Sequence, residues 1–174
     1  MNTTKVIIET ENLLLKSISL DYKEDIFREF TPEITLYMRP SSPKKIEETI
    51  KFIEESLEKN KKGVDFCAAV ICKKTGEYLG NTGVHRINTK TPELGIWIKK
   101  SAHGSGYGKE AVKGVKDWAE DNLKYDYLLY PVVYENYPSR KIAEFLGGKI
   151  YREYEETNFD GVKHHMVEYR IYPL

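Results

Sequence analysis

Three glycines alternate with other residues in the segment His103-Gly104-Ser105-Gly106-Tyr107-Gly108, which lies between a predicted strand and a predicted helix. Backbone N–H groups in such a turn can converge on an anion, and the positive end of the helix dipole adds to the attraction. Side chains at the glycine positions would restrict the backbone and obstruct the approach of phosphate oxygens. A pyrophosphate is therefore the expected ligand, although a glycine-rich stretch alone also fits a flexible turn.

Two other phosphate-binding motifs fit this segment less well. A dinucleotide-binding fold expects Gly-x-Gly-x-x-Gly beside its first strand, whereas here the spacing is Gly-x-Gly-x-Gly and about four strands precede it. A P-loop ends in Gly-Lys-Ser/Thr, which is missing here. A nucleotide-dependent enzyme stays open as a third hypothesis, and it predicts that ATP or NAD binds in preference to CoA.

Two further positions could take part in chemistry. Asn136 and Ser139 open another predicted helix, where the asparagine fits a cap and the serine a solvated hydroxyl. Glu93 starts a predicted strand, and a carboxylate can accept a proton directly or through water. Because the chain has 27 acidic residues, an exposed charge at a strand end is the alternative interpretation of Glu93.

The elements that position these residues alternate between strands and helices. Strands are predicted over 13–18, 66–72, 78–85, 93–99, 127–134, 149–154 and 162–172. Helices are predicted over 21–30, from Ser42-Pro43 past Leu57, from just after Gly108, and from Asn136 to about Leu146. Residues 31–42 are expected to form a loop with one helical turn. Two hairpins within this order indicate an α/β sheet of mixed direction, covered by helices on both faces.

Length and composition narrow the class of protein. The 174 residues, 40% hydrophobic and 31% charged, fit one globular domain spanning 1–174. The 27 basic residues balance the 27 acidic ones, so we expect no general attraction to nucleic acid or to anionic membranes.

The chain also lacks the marks of a secreted or membrane protein. No segment is apolar enough for a signal sequence or a membrane span. Cys67 and Cys72 should lie on opposite faces of one strand, which disfavours a disulfide between them. The expectation is a cytoplasmic protein.

Several motifs together resemble the GCN5-related N-acetyltransferase (GNAT) superfamily. Its pyrophosphate loop reads Gln/Arg-x-x-Gly-x-Gly/Ala at the entrance to a central helix, and here His103 takes the Gln/Arg position while Gly106 and Gly108 take the small ones. The resemblance covers nearly the whole chain and is strongest to the Rim-type acetyltransferases of ribosomal protein N-termini. The segments that carry it are Gly80-Asn81-Thr82-Gly83, Glu93-Leu94-Gly95-Ile96-Trp97-Ile98 and Asn136-Tyr137-Pro138-Ser139.

The resemblance implies a GNAT-type fold: a mixed, mostly antiparallel central sheet of about six to seven strands, with helices on both faces. In that family the acetyl-CoA arm lies between two splayed parallel strands, here residues 93–99 and 127–134. A backbone N–H of Ile96 or Ile98 would hold the oxyanion, and Asn136 would contact the pantetheine arm. The residues implied to bind the pyrophosphate end are His103, Gly104, Ser105, Gly106, Tyr107, Gly108 and Lys109.

The resemblance also suggests catalytic groups. Many superfamily members protonate the departing thiolate with a tyrosine seven residues after the asparagine, but that position here is Ala143. Rim-type relatives use the serine, which implies that Ser139 serves the coenzyme sulfur. Glu93 would then assist removal of the proton from the amine, alone or through a water chain.

The acceptor pocket is implied less directly. The last hairpin borders the acceptor site in the family, which makes His164 a candidate for that pocket; His85 is another, as are Tyr37 and Met38 of the 31–42 loop. A structural or core-packing role is the alternative for each of them. His164 and His165 point to opposite faces of a strand, so they cannot share a metal, and no metal is expected.

The leading hypothesis is therefore an acetyl-CoA-dependent N-acetyltransferase that works as a monomer or homodimer. A primary amine, either a protein N-terminal α-amine or a small-molecule amine, would attack the thioester directly in a ternary complex. The alternative is a non-catalytic acyl-CoA-binding regulatory module.

Overall fold

The computed structural model describes residues 1–174, which form one sheet of eight strands with five α-helices around it. The strands are β1 (Ile7–Glu9), β2 (Leu13–Ser17), β3 (Phe66–Cys72), β4 (Tyr78–His85), β5 (Glu93–Ile98), β6 (Leu128–Val133), β7 (Lys149–Thr157) and β8 (Lys163–Ile171). The helices are α1 (Lys23–Glu29), α2 (Pro32–Thr35), α3 (Ile46–Lys62), α4 (Tyr107–Asn122) and α5 (Tyr137–Phe145). Helix α2 is the predicted helical turn in the 31–42 loop.

The strands are arranged in the order β1-β2-β3-β4-β5-β6-β8-β7. Every neighbouring pair is antiparallel except β5 and β6, which confirms the mixed, mostly antiparallel sheet. The sheet has eight strands where about six to seven were predicted, because the three-residue strand β1 adds one at the edge. Three residues are too few to show the alternation by which a strand is recognised.

Apolar side chains are buried on both faces of the sheet, as predicted. Helices α4 and α5 cover the larger cluster, with Ala111, Val115 and Ala143 fully buried. On the other face, α1 and α3 cover a smaller cluster that contains Ile26 and Ile53. Cys67 belongs to the smaller cluster and Cys72 to the larger one, so the two thiols lie on opposite faces and are not bridged.

A helix long and apolar enough to cross a membrane is not found in the structure.

Two helix starts differ from the sequence prediction. Helix α3 begins at Ile46 rather than at Ser42-Pro43, and its first turn is fixed by the Glu48 carboxylate, which accepts a hydrogen bond from the Lys45 amide at 3.0 Å. Helix α4 begins at Tyr107, so Gly108 lies inside its first turn. Gly106 precedes it with a φ of 78°, a left-handed conformation that glycine adopts without strain.

Strands β5 and β6 pair at a single position, Glu93 with Leu129, where the Leu129 amide donates to the Pro92 carbonyl at 2.8 Å. Alternate residues of a strand donate toward the same edge, so the next donor from β6 toward β5 would be residue 131. That residue is Pro131, which has no N–H. The ladder therefore stops after one pair, and the two strands diverge to leave an interstrand gap.

Replacing Pro131 by valine should allow the ladder to extend. The new amide faces β5, so it should become protected from hydrogen exchange, and the free energy of unfolding should rise by ~1 kcal/mol for one added backbone hydrogen bond. Exchange followed by NMR and urea denaturation measure the two effects. Pro173→Val, near the exposed C-terminus, is the control, and an exchange rate at position 131 as fast as that of the control would show that proline is not what ends the ladder.

Candidate active site

The divergence of β5 and β6 adjoins a cleft of about 880 Å³ on the face of the sheet that carries α1 and α3. One wall comes from β4, β5 and β6 with the start of α5, and includes His85, Glu93 and Ser139. The 31–42 loop supplies much of the opposite wall. Most of the residues named as site candidates from the sequence lie either in this cleft or in the glycine loop (residues 103–109) that follows β5.

The glycine loop presents a run of free main-chain donors. None of the amides from Gly104 to Lys109 donates to a backbone carbonyl, and helical bonding begins only with the Glu110 amide, which donates to the Gly106 carbonyl at 3.0 Å. The loop is exposed from His103 to Gly106 and leads into the N-terminus of α4, a helix of 16 residues. Free amides and the positive end of a long helix can together bind an anion.

The three glycines differ in backbone conformation and in what a side chain at each position would contact. Gly104 and Gly106 have φ values of 80° and 78°, and a Cβ at either would meet nothing within 4 Å, so conformation rather than space selects glycine there. Gly108 lies in the helix, where a Cβ would contact Ile142 Cδ1 at 3.5 Å and Ile98 Cγ1 at 3.7 Å. A larger side chain at position 108 would press on the wall formed by β5 and α5.

His103 contacts β5. Its Nε2 lies 2.6 Å from the Ile98 carbonyl oxygen, and because a carbonyl only accepts, Nε2 is the donor. The side chain therefore ties the glycine loop to the end of β5. Lys109 also has a partner, since its Nζ lies 3.9 Å from the centre of the Phe145 ring.

The main chain of β5 directs two amides into the interstrand gap. The Lys99 amide donates to Leu79 of β4 at 2.8 Å, and successive amides of a strand point to opposite edges. The amides of Ile98 and Ile96 therefore point away from β4, toward the side from which β6 has diverged. Both are placed to donate to a group held in the gap.

Ser139 lies at the start of α5 beside the gap. The Asn136 side-chain oxygen caps the helix by accepting from the Ser139 amide at 3.4 Å, and the Ser139 hydroxyl is 2.8 Å from the Tyr130 hydroxyl. Tyr130 is only 3% exposed, and burial raises the pKa of its phenol to about 12 despite the opposing effect of the hydrogen bond with Ser139. Sequence analysis missed Tyr130, because an aromatic residue in a strand is usually part of the core.

Glu93 and His85 are cross-strand partners on β5 and β4, and each has a charged neighbour. Arg86 Nη2 lies 2.9 Å from Glu93 Oε2, and His85 Nδ1 lies 3.1 Å from Asp65 Oδ2. Burial raises the pKa of Asp65, but hydrogen bonds from His85 and from the Arg86 amide outweigh it, so the net shift is downward and the carboxyl is ionised. Asp65, which precedes β3, is a second residue that sequence analysis missed.

The 31–42 loop is fixed to the β7–β8 hairpin. The Phe159 amide donates to the Arg39 carbonyl at 3.0 Å, and Arg39 also forms an ion pair of 2.7 Å with Glu156. Tyr37 and Met38 line the cleft.

The histidines of β8 lie outside the cleft lining. His164 is placed behind Tyr37, with the two ring centres 6.4 Å apart. His165 is directed elsewhere and stacks on Tyr134 at 4.8 Å. Of the two, only His164 packs against an aromatic ring of the cleft lining, that of Tyr37.

A model of the acetyltransferase (GNAT) domain family matches residues 12–149 of this chain. The chain belongs to the GNAT acetyltransferase family. The resemblance drawn from the sequence motifs is thereby confirmed. Among curated proteins, this GNAT acetyltransferase is similar to the uncharacterised N-acetyltransferase p20 of Bacillus licheniformis, with 25% identity over 154 residues, which cover 85% of this chain and 86% of the relative.

Solved structures agree with the fold. A GCN5-related N-acetyltransferase from Brucella melitensis superposes with a TM-score of 0.82 at 16% identity, over 99% of this chain and 80% of that one. RimL, a ribosomal L7/L12 alpha-N-protein acetyltransferase solved in complex with coenzyme A, superposes with a TM-score of 0.85 at 15% identity, over 97% of this chain and 98% of that one. The structural neighbours of this GNAT acetyltransferase thus include Rim-type enzymes.

The glycine loop can be tested by Gly106→Val with Gly76→Val as the matched control. Both glycines have positive φ, 78° and 72°, and open space around them, but Gly76 lies in the β3–β4 turn. Both variants should lose similar stability. Only Gly106→Val should weaken CoA binding. Amide hydrogen bonds to a charged group contribute ~1.5 kcal/mol, so disturbing them should raise the Kd for CoA about tenfold. Calorimetry measures the Kd, and equal CoA affinities for the two variants would contradict an anion site at this loop.

Proposed function

We propose that this GNAT acetyltransferase, acting as one domain over residues 1–174, transfers the acetyl group of acetyl-CoA to a primary amine. The observation that carries the proposal is the run of unbonded amides from Gly104 to Lys109 at one end of the interstrand gap, with the Ser139 hydroxyl beside that gap. The acceptor classes are a protein N-terminal α-amine and a small-molecule amine. Direct attack in a ternary complex fits a cleft that adjoins the gap.

The residues present fit the coenzyme. The amides of the glycine loop would hold the diphosphate, and Asn136, whose side-chain oxygen is used in capping, keeps its Nδ2 free to donate to the pantetheine arm. The Ile96 or Ile98 amide would donate to the carbonyl oxygen of the acetyl group, where negative charge develops during attack. Acetyl-CoA, when bound, supplies the thioester.

Ser139 is the proposed proton donor to the departing sulfur. Its hydroxyl shares a hydrogen bond with Tyr130, whose high pKa keeps the phenol protonated at neutral pH. The phenol can therefore donate to Ser139 Oγ while Ser139 gives up its own proton, and this stabilises the serine oxygen as charge develops on it. Ala143, at the position where many relatives have the catalytic tyrosine, is fully buried and cannot contribute.

Glu93 has a different proposed role from the one suggested by sequence. Its Oε2 lies 2.9 Å from Arg86 Nη2, so one carboxylate oxygen already has a cationic partner. The side chain is still 26% exposed and lines the cleft, so a carboxylate oxygen is available to bind an ammonium group. We assign to Glu93 the binding of the protonated acceptor as it enters.

Ser139→Ala should lower kcat by ~10²-fold, the usual contribution of a positioned acid or base, while the Kd for acetyl-CoA changes little. Tyr130→Phe should lower kcat less, because it removes only the group that supports Ser139. The control is Tyr125→Phe, since the buried Tyr125 hydroxyl has no hydrogen-bond partner. Free-thiol release with a panel of amines gives kcat, and calorimetry gives the Kd.

The outcomes of this experiment separate the candidate functions. Unchanged kcat in Ser139→Ala would remove the serine from the mechanism. A wild-type protein that binds acetyl-CoA but acetylates no amine in a broad panel would be the non-catalytic acyl-CoA-binding module. Binding of ATP or NAD in preference to CoA would indicate a nucleotide-dependent enzyme.

A further inference from the structure

We propose that His85, oriented by Asp65, is the catalytic base that removes the proton from the acceptor amine. This assignment rests on the proposed function, because it concerns the same acetyl transfer. It is supported by the hydrogen bonding of the two side chains, by the position of the imidazole beside β5, and by the engagement of the other basic groups in the cleft.

Hydrogen bonding fixes the protonation pattern of the imidazole. An ionised carboxylate only accepts hydrogen bonds, so the contact of 3.1 Å between Asp65 Oδ2 and His85 Nδ1 requires the proton on Nδ1. The neutral ring then carries its lone pair on Nε2. Asp65 is itself held in place, because its other oxygen accepts from the Arg86 amide at 2.8 Å and its side chain is only 8% exposed.

The free nitrogen lies beside the proposed reaction centre. A Cβ built on Gly95 would lie 3.1 Å from His85 Nε2, so this nitrogen sits directly over Gly95. The next residue is Ile96, whose amide points into the interstrand gap. The base and the oxyanion donor are thus carried by neighbouring positions of the sheet, and the absence of a side chain at Gly95 gives the imidazole its room.

The imidazole is also accessible to an acceptor. His85 lines the cleft and its side chain is 42% exposed. The cleft carboxylates are less available: Glu93 is paired with Arg86, Glu156 with Arg39 at 2.7 Å, and Glu48 accepts from the Lys45 amide at 3.0 Å. Nε2 of His85 has no hydrogen-bond partner in the protein that would compete with the amine.

The proposed step moves two protons from the acceptor nitrogen and one electron pair to the sulfur. Nε2 takes a proton from the ammonium, and the lone pair left on the amine nitrogen forms the N–C bond to the thioester carbon. The C–S bond breaks and its electron pair leaves on sulfur, which is protonated through Ser139. The nitrogen loses a second proton to solvent as the amide forms, and solvent returns one proton to Ser139, which restores the hydroxyl that protonated the sulfur. The imidazolium returns its proton to solvent.

Because histidine ordinarily changes charge between about pH 5 and 8, the step predicts an acidic limb in the pH profile of kcat/KM. Other charged groups line the same cleft and set the electrostatic background for this titration. They are Arg39, Glu48, Lys59, Asp65, Arg86, Glu93 and Glu156.

The decisive variant is His85→Ala. We expect kcat/KM to fall by ~10²-fold or more, the acidic limb to disappear, and added imidazole to restore part of the rate, while the Kd for CoA is unchanged. His165→Ala is the matched control, since His165 also pairs with a carboxylate, Glu153 at 2.6 Å, but stacks on Tyr134 outside the cleft lining. It should retain the wild-type profile.

Asp65→Asn tests the positioning residue. Removing the negative charge that stabilises the imidazolium should move the acidic limb to lower pH and lower kcat, an effect that loss of stability alone would not produce. If His85→Ala does not fold, His85→Asn replaces it, because the asparagine amide keeps a donor near Asp65 but has no basic nitrogen.

The results distinguish two kinds of failure. A folded His85 variant with wild-type kcat/KM and an unchanged acidic limb would overturn the assignment of His85 while the acetyltransferase activity stands. A wild-type protein that releases no thiol with any amine would overturn the proposed function itself. Rate restoration by imidazole in His85→Ala, with none in Ser139→Ala, would support the base assignment specifically.

Discussion

The early end of the β5–β6 ladder is the constraint on which the site depends. A buried backbone amide without a partner is costly, so a sheet normally continues pairing until the strands end. Here Pro131 cannot supply the next donor, and β6 diverges after a single pair. The divergence leaves the Ile96 and Ile98 amides directed at the gap. A ligand that accepts hydrogen bonds from these amides replaces the interstrand bonds that the sheet does not make.

The glycine loop likewise contains main-chain amides that have no partner in the protein. Two left-handed glycines turn the chain sharply into α4, so that the amides of residues 104–109 are exposed instead of being used in the helix. His103 connects this loop to the Ile98 carbonyl, so a side-chain hydrogen bond links the two groups of free donors. An elongated ligand with an anion at one end and a carbonyl near the other is complementary to such a segment.

Successive side chains of β5 point to opposite faces of the sheet. Ile96 and Ile98 face α4, as their approach to Gly108 shows, while Glu93, Gly95 and Trp97 face the cleft. Trp97 packs against Phe30, the residue that follows α1, with ring centres 4.8 Å apart, and both rings line the cleft. The Ile96 and Ile98 side chains and the cleft-facing residues of β5 thus lie on opposite sides of the sheet.

Much of this arrangement could be predicted from the sequence, because it depends on local patterns. The pattern of apolar and polar residues predicted strands β3 to β6. The glycines indicated the turn into α4, and Asn136 indicated the start of α5. The pairs Asp65–His85 and Tyr130–Ser139 could not be predicted, since each depends on register and packing between separate elements. Pro131 was available as a local signal, because a proline inside an apolar strand already indicates that one edge of that strand is unpaired.

The most direct test of the account is the response of backbone amides to CoA in a ¹H–¹⁵N NMR titration. The largest shift changes should fall on residues 104–109 and on Ile96 or Ile98. Changes of that size confined to other parts of the surface, or no change at saturating CoA, would contradict the claim that the free main-chain donors of the glycine loop and of β5 form the coenzyme site.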